Sequence, residues 1–267
     1  MPEEGTNWDW NAPLLITGCA RSGTSALAQA LSTHRKFCIF NEYQLYVHRP
    51  DAFGTWPHVQ RMKHDNHPPK KVSSDLAQLN SRMLRELPPA SNQSTINWLF
   101  GLIETPPSVY GDKMPFQYLR RIHKVVKEYP EAKFLITIRD GRAVVASQIR
   151  QYHLAIEKGD TPAPWMNPTV REAEYLWLRS AKTWLQLRSR PPVPCLEVRY
   201  EKAVQSPQQL AKSICNFTGI KYQAAEFADF LGTYRAVHVD TWREELENIE
   251  DQLSDEFRDA LRQLGYE

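Results

Sequence analysis

Leu14-Leu15-Ile16-Thr17-Gly18-Cys19-Ala20-Arg21-Ser22-Gly23-Thr24-Ser25 is the stretch that decides the fold. Residues 13–17 form an apolar run that reads as a strand. Gly18 and Gly23 frame a turn. From Thr24 to His34, Leu27 and Leu31 recur at i, i+4, the spacing of a helix. A strand, a glycine-framed turn and a helix N-terminus make a cradle for an anion. The first helical N–H groups have no partner and carry partial positive charge. The spacing is that of a nucleotide-binding G-x-x-x-x-G-K-[ST] loop, but Thr24 stands where that loop has Lys. The cation is Arg21, inside the turn. The change argues against ordinary γ-phosphoryl transfer from ATP and for a different anionic group.

Outward from this turn, strand and helix signals alternate. Phe37 to Phe40 reads as a second strand, and Val109-Tyr110 leads into Asp112-Lys113-Met114-Pro115. Phe116, Leu119, Ile122, Val126 and Tyr129 form a helical stripe. Lys133 to Ile138 is the clearest buried strand, and a helix follows from Gly141. Val170, Ala173, Trp177, Ala181 and Trp184 mark a long helix whose Trp residues read as core. Pro194 to Val198 is the last strand. Leu210, Ile214 and Phe217 form a helix closed by Gly219. The alternation predicts an α/β chain: a three-layer, P-loop-type domain with a central parallel sheet flanked by helices. Ligands in such sheets lie beyond the carboxyl ends of the strands, so the loops after residues 17, 40, 138 and 198 are where chemistry is expected.

The chain reads as a single domain over 1–267, with a substrate or lid insertion at about 49–110. Residues 49–73 are Pro-rich and carry Arg61, Lys63, Lys70 and Lys71, the character of a binding loop. Ser74 caps an expected helix with Leu76, Leu79, Met83, Leu84 and Leu87, and Ile96 to Ile103 reads as another. Tyr43, Tyr46, Trp56 and Trp98 are candidate pocket aromatics.

Bulk numbers set the bounds. At 267 residues, 42% hydrophobic and 24% charged, the composition is that of a globular protein with a sizeable core. A net charge of +2 gives no global field for nucleic acid or an anionic membrane, so any anion is bound locally. Cys19, Cys38, Cys195 and Cys215 form no C-x-x-C pair and read as small buried thiols. Met1 to Gly5 lacks the apolar core of a signal peptide, and no run approaches the ~20 residues of a membrane span. A cytoplasmic protein is expected. Histidines 34, 48, 58, 64, 67, 123, 153 and 238 show no ligand spacing, and no metal is expected. The acidic stretch after Asp240 reads as a solvated helix face.

Four segments in order resemble sulfotransferases that use 3′-phosphoadenosine-5′-phosphosulfate (PAPS). Arg21-Ser22-Gly23-Thr24-Ser25 resembles their 5′-phosphosulfate loop. Arg139 and Ser147, eight residues apart, resemble the pair that holds the 3′-phosphate. Arg supplies a planar charged fork and Ser a hydroxyl donor. Asp140 reads as an N-cap, and Arg142 and Arg150 as solvated charges or, alternatively, phosphate contacts. Tyr200-Glu201, after the last strand, resembles the segment whose Tyr contacts adenine. Glu42 and Lys113 resemble the catalytic Glu and Lys of the tyrosylprotein branch. Arg235 is a candidate for the family's last cofactor loop.

The resemblance implies transfer of the PAPS sulfuryl group to a hydroxyl or amine acceptor, with PAP as product. Glu42, Lys113 and Arg21 would be catalytic. Arg21, Ser22, Gly23, Thr24, Ser25, Arg139, Ser147, Tyr200 and Arg235 would bind the cofactor. The acceptor would be a small molecule, a carbohydrate or a peptide. The alternatives are a P-loop small-molecule kinase, which needs a loop Lys and a Mg²⁺-holding Asp after a strand, and a non-catalytic nucleotide-binding protein of the same fold.

Overall fold

The computed structural model describes residues 12–42, 46, 107–233 and 249–266. The 49–73 loop, the helices expected over 74–87 and 96–103, Arg235, Tyr43, Trp56 and Trp98 lie outside these residues.

Five strands form one parallel sheet: β1 (Leu14–Gly18), β2 (Phe37–Asn41), β3 (Val109–Lys113), β4 (Lys133–Ile138) and β5 (Cys195–Arg199), in the order β2-β3-β1-β4-β5. The chain leaves β1 toward β2 on one side, and its later strands β4 and β5 lie on the other. The carboxyl end of β1 is therefore a topological switch point, where such sheets bind ligands.

Side chains alternate across the sheet and split the core into two layers. Leu14 and Ile16 of β1 face one way with Leu135 and Val198. They pack on α1 (Thr24–Ser32) and α7 (Pro207–Thr218) through Leu27, Leu31, Ala211 and Ile214. Leu15 faces the other way with Phe134 and Ile136. That side is covered by α2 (Gln117–Arg120), α3 (Ile122–Glu128), α4 (Gly141–Glu157) and α5 (Val170–Arg188). Trp177 and Trp184 are buried in this layer as expected. A short helix α6 (Tyr200–Gln205) precedes α7, and α8 (Ala228–Thr233), α9 (Ile249–Gln252) and α10 (Asp255–Leu264) complete the described elements.

Three expectations need correction. The stripe over 116–129 is two helices, broken at Arg121. The acidic C-terminal stretch is more than a solvated face: Phe257, Ala260, Leu261 and Leu264, at i, i+3, i+4 and i+7, bury one side of α10 in the main core. Ser254 caps that helix and is itself held by the buried Glu174 carboxylate. Arg142 and Arg150 are half-buried rather than solvated, as the site explains.

Candidate active site

The turn from Gly18 to Gly23 is built from inside. Ser22 Oγ donates to Cys19 O (2.6 Å) and lies 2.9 Å from Thr137 Oγ1 on β4, and Ser22 N also bonds Cys19 O. The Ser22 hydroxyl is thus turned into the turn's interior and braces it. Gly23 sits at φ 92° and begins α1 with no side-chain cap. A Cβ there would meet the Tyr200 ring at 2.6 Å, so only Gly lets the two elements close up. The N–H groups of α1's first turn, carried by Thr24 and Ser25, supply the cradle.

Arg21 stands at φ 74°, a left-handed conformation that costs a non-glycine residue energy. Its Nε donates to Ser147 Oγ on α4 (2.9 Å), and its guanidinium lies 5.4 Å from the Trp165 ring centroid. Arg139 is buried at the end of β4, donates to Arg21 O (3.1 Å), and stacks over Tyr200 at 4.4 Å. Ser147, expected beside Arg139 at the 3′-phosphate, is the acceptor of this bond from Arg21. Arg21, Ser147, Arg139 and Tyr200 form one connected group. Burial lowers the proton affinity of Arg21, and Arg139 and Arg150 lower it further. Burial does the same to Arg139, where Tyr200, Glu201 and Asp140 pull the other way and Arg150 adds a smaller lowering. Three guanidinium groups crowded in low dielectric form a site that a multiply charged anion relieves.

The second constellation lies across β2 and β3. Register sets Asn41 beside Lys113, and Lys113 beside Ile16 of β1. Glu42, one residue past β2, takes φ 67° and its N–H bonds Lys113 O at 2.7 Å. This turn brings its carboxylate back over β3, where Lys113 Nζ donates to Glu42 Oε1 at 2.5 Å. Lys113 is fully buried while Glu42 keeps 37% of its side chain exposed. Burial pulls the Lys113 ammonium below its ordinary range and the Glu42 charge pulls it back. A buried cation with one carboxylate reaching solvent is a reactive pair with an outlet.

Asp140 caps α4 as expected, accepting from Arg142 N at 2.9 Å, and the Arg142 guanidinium forks onto the same carboxylate. The acid that a kinase reading needs for Mg²⁺ is therefore already committed. Sequence reasoning missed Trp165 and gave Glu201, quoted beside Tyr200, no role of its own. Glu201 accepts from Asp140 N at 2.9 Å, and only the fold brings these residues together.

A family model described as the sulfotransferase family matches residues 13–224. The chain belongs to the sulfotransferase family. Among curated relatives, this sulfotransferase is 28% identical over 120 residues to protein-tyrosine sulfotransferase 1 of Danio rerio, covering 45% of this chain and 32% of that protein. It is 25% identical over 214 residues to protein-tyrosine sulfotransferase 2 of Gallus gallus, covering 78% and 51%. The matches thus span about a third to a half of these relatives' own length. In three dimensions it resembles the sulfotransferase domain of the Synechococcus PCC 7002 olefin synthase, at TM-score 0.65, 21% identity and 99% of both chains. A mouse sulfotransferase complexed with PAP aligns at TM-score 0.50, 11% identity, 95% of this chain and 82% of that one. These likenesses carry the fold. No helix among the described residues is long and apolar enough to cross a membrane.

Proposed function

We propose that the protein transfers the sulfuryl group of PAPS to a hydroxyl acceptor by in-line displacement. The observation that carries this reading is the Glu42–Lys113 pair, held on the same sheet edge as the uncapped cradle. The crowded Arg21, Arg139 and Arg150 support an anionic nucleotide with two separate charged ends, which PAPS has and ADP lacks. The cradle N–H groups with Thr24 and Ser25 would take the 5′-phosphosulfate. Arg139 would take the 3′-phosphate, and Tyr200 would flank the adenine.

PAPS supplies an activated sulfuryl group on a phosphate that leaves readily. The acceptor oxygen forms its bond to sulfur as the bond from sulfur to the phosphate oxygen breaks. The acceptor proton passes to a Glu42 carboxylate oxygen, a general-base step worth ~10²–10⁴-fold. Negative charge then moves from Glu42 to the departing phosphate. Lys113 and Arg21 are the cations on that edge that stabilise it, in the manner of other preorganised donors at ~3–4 kcal/mol each. Cytoplasmic placement is part of this proposal and is supported by Cys19, Cys195 and Cys215, which stand as thiols rather than in disulfides. So is the single domain with an acceptor-side insertion at about 49–110, which rests on sequence.

Calorimetric titration with PAP, ADP and ATP tests the cofactor, with PAP expected to bind far more tightly. Equal affinities for PAP and ADP would remove the assignment. A tyrosine-containing peptide is the first acceptor to try, given the relatives' names. Glu42→Gln is expected to keep PAP affinity and lose sulfated product, and turnover at the parental rate would place the base elsewhere.

A further inference from the structure

Behind the cofactor loops lies a second layer of polar contacts that the chemistry above does not use. Tyr266 OH donates to Glu201 Oε2 at 3.0 Å, while Glu201 Oε1 accepts the Asp140 N–H at 2.9 Å. Glu201 follows Tyr200, and Asp140 follows Arg139. One carboxylate therefore ties the corner after β4 to the corner after β5. Arg142, forked onto Asp140, also donates to Tyr266 O at 3.0 Å. Arg199, the last residue of β5, donates to Leu264 O at 2.6 Å, and its guanidinium lies 5.3 Å from the Tyr266 ring centroid. Below this strap, α10 presses on the same corner. A Cβ on Gly141 would meet Phe257 at 2.5 Å and Trp177 at 2.7 Å.

We propose that Tyr266 is a positioning residue for the nucleotide, acting through Glu201 to fix the spacing between Arg139 and Tyr200. This inference rests on the PAPS reading. The two side chains that would grip the 3′-phosphate and the adenine come from different strands. Their 4.4 Å stack is only as rigid as the corners that carry them. Two hydrogen bonds to one half-buried carboxylate lock those corners. Without the Tyr266 hydroxyl, Glu201 loses one of them and gains freedom to rotate away from Asp140 N–H. The nucleotide must then order the two corners as it binds, which weakens affinity without touching the transfer step.

The test compares Tyr266→Phe, which keeps the ring against Arg199 and removes the hydroxyl, with Val125→Ala, which loosens the buried face of α3 and touches no residue of the strap. Tyr266→Phe is expected to weaken PAP binding about three- to tenfold, the effect of one hydrogen bond. KM for PAPS should rise with kcat unchanged. Amide exchange at 140–142 should quicken. Val125→Ala should lower Tm at least as much and leave PAP affinity at the parental value. Parental PAP affinity in Tyr266→Phe overturns the proposal, as does an equal loss in Val125→Ala. Titrating the parent with PAP and ADP separates the two questions. A parent with no preference for PAP overturns the cofactor reading, and exchange at 140–142 then decides the strap by itself: faster exchange in Tyr266→Phe upholds it, and unchanged exchange overturns it.

Discussion

Lys113 shows how one residue joins chemistry to stability. Its ammonium is buried, and the Glu42 carboxylate is the countercharge that keeps it protonated. Glu42→Gln leaves only the Asp112 charge to oppose burial, so the folded-state proton affinity of Lys113 falls further below its ordinary value of 10.5. Between that lowered value and 10.5 the unfolded chain binds more protons than the folded one, so stability rises with pH across the window. The variant is therefore expected to lose most stability at neutral pH and to recover toward the parent as pH approaches 10. Removing one partner of a fully buried pair costs ~3–5 kcal/mol. The exposure of Glu42 puts the expected loss below that range. Thermal melts from pH 7 to 10 check it, and a gap that stays constant or widens with pH contradicts it. None of this was legible at residue 113 itself, where a lysine after Asp112 looks like a strand end. Its partner lies 71 residues earlier, and a sheet register rather than local composition joins them.

Among the elements, the strands were the most readable. Lys133 to Ile138 is a continuous apolar run because a central parallel strand is covered on both faces, and its bounds match β4. Helix breaks were less so. No Gly or Pro marks the division between α2 and α3. It is set where α2 docks on β1, with Leu119 N bonded to Thr17 Oγ1 at 3.2 Å. The buried face of α10 was present in the spacing of Phe257, Ala260, Leu261 and Leu264, but the many carboxylates around it drew the reading toward solvent. In the phosphate turn, the residue types announced an anion cradle and an arginine. The inward use of Ser22 and the grip of Arg21 on Ser147 needed α4 and β4 in place. The junction of that turn with α6 is open to test. Gly23→Ala forces a Cβ at φ 92° into the Tyr200 ring. A destabilisation of ~1–3 kcal/mol is expected from strain and overpacking. PAP affinity should fall as well, because Tyr200 can yield only by leaving Arg139. A variant with unchanged PAP binding would show that this contact does not set the site.

Over the whole molecule, two packed layers share one sheet, and the site sits where the sheet's winding reverses. Ligand binding at that seam should be felt by both layers. PAP at about a hundred times its Kd is expected to add ~2.7 kcal/mol of unfolding free energy, and ADP at the same concentration clearly less. Urea titration followed by the fluorescence of buried Trp177 and Trp184 would measure both. Coincident transitions with PAP and ADP would speak against a 3′-phosphate site. The left-handed Arg21 has a wider consequence. Its backbone is in a conformation that glycine adopts freely, and its charge is crowded by Arg139 and Arg150. Arg21→Gly relieves both at the loss of the bond to Ser147 and the contact with Trp165. The variant is expected to melt no lower than the parent and to make no sulfated product; a clear drop in Tm would refute this. Selection for folding and selection for turnover then pull on this position in opposite directions. A library of this chain sorted only for solubility and heat resistance should drift toward Gly at residue 21, accumulating sturdier proteins that have lost their trade.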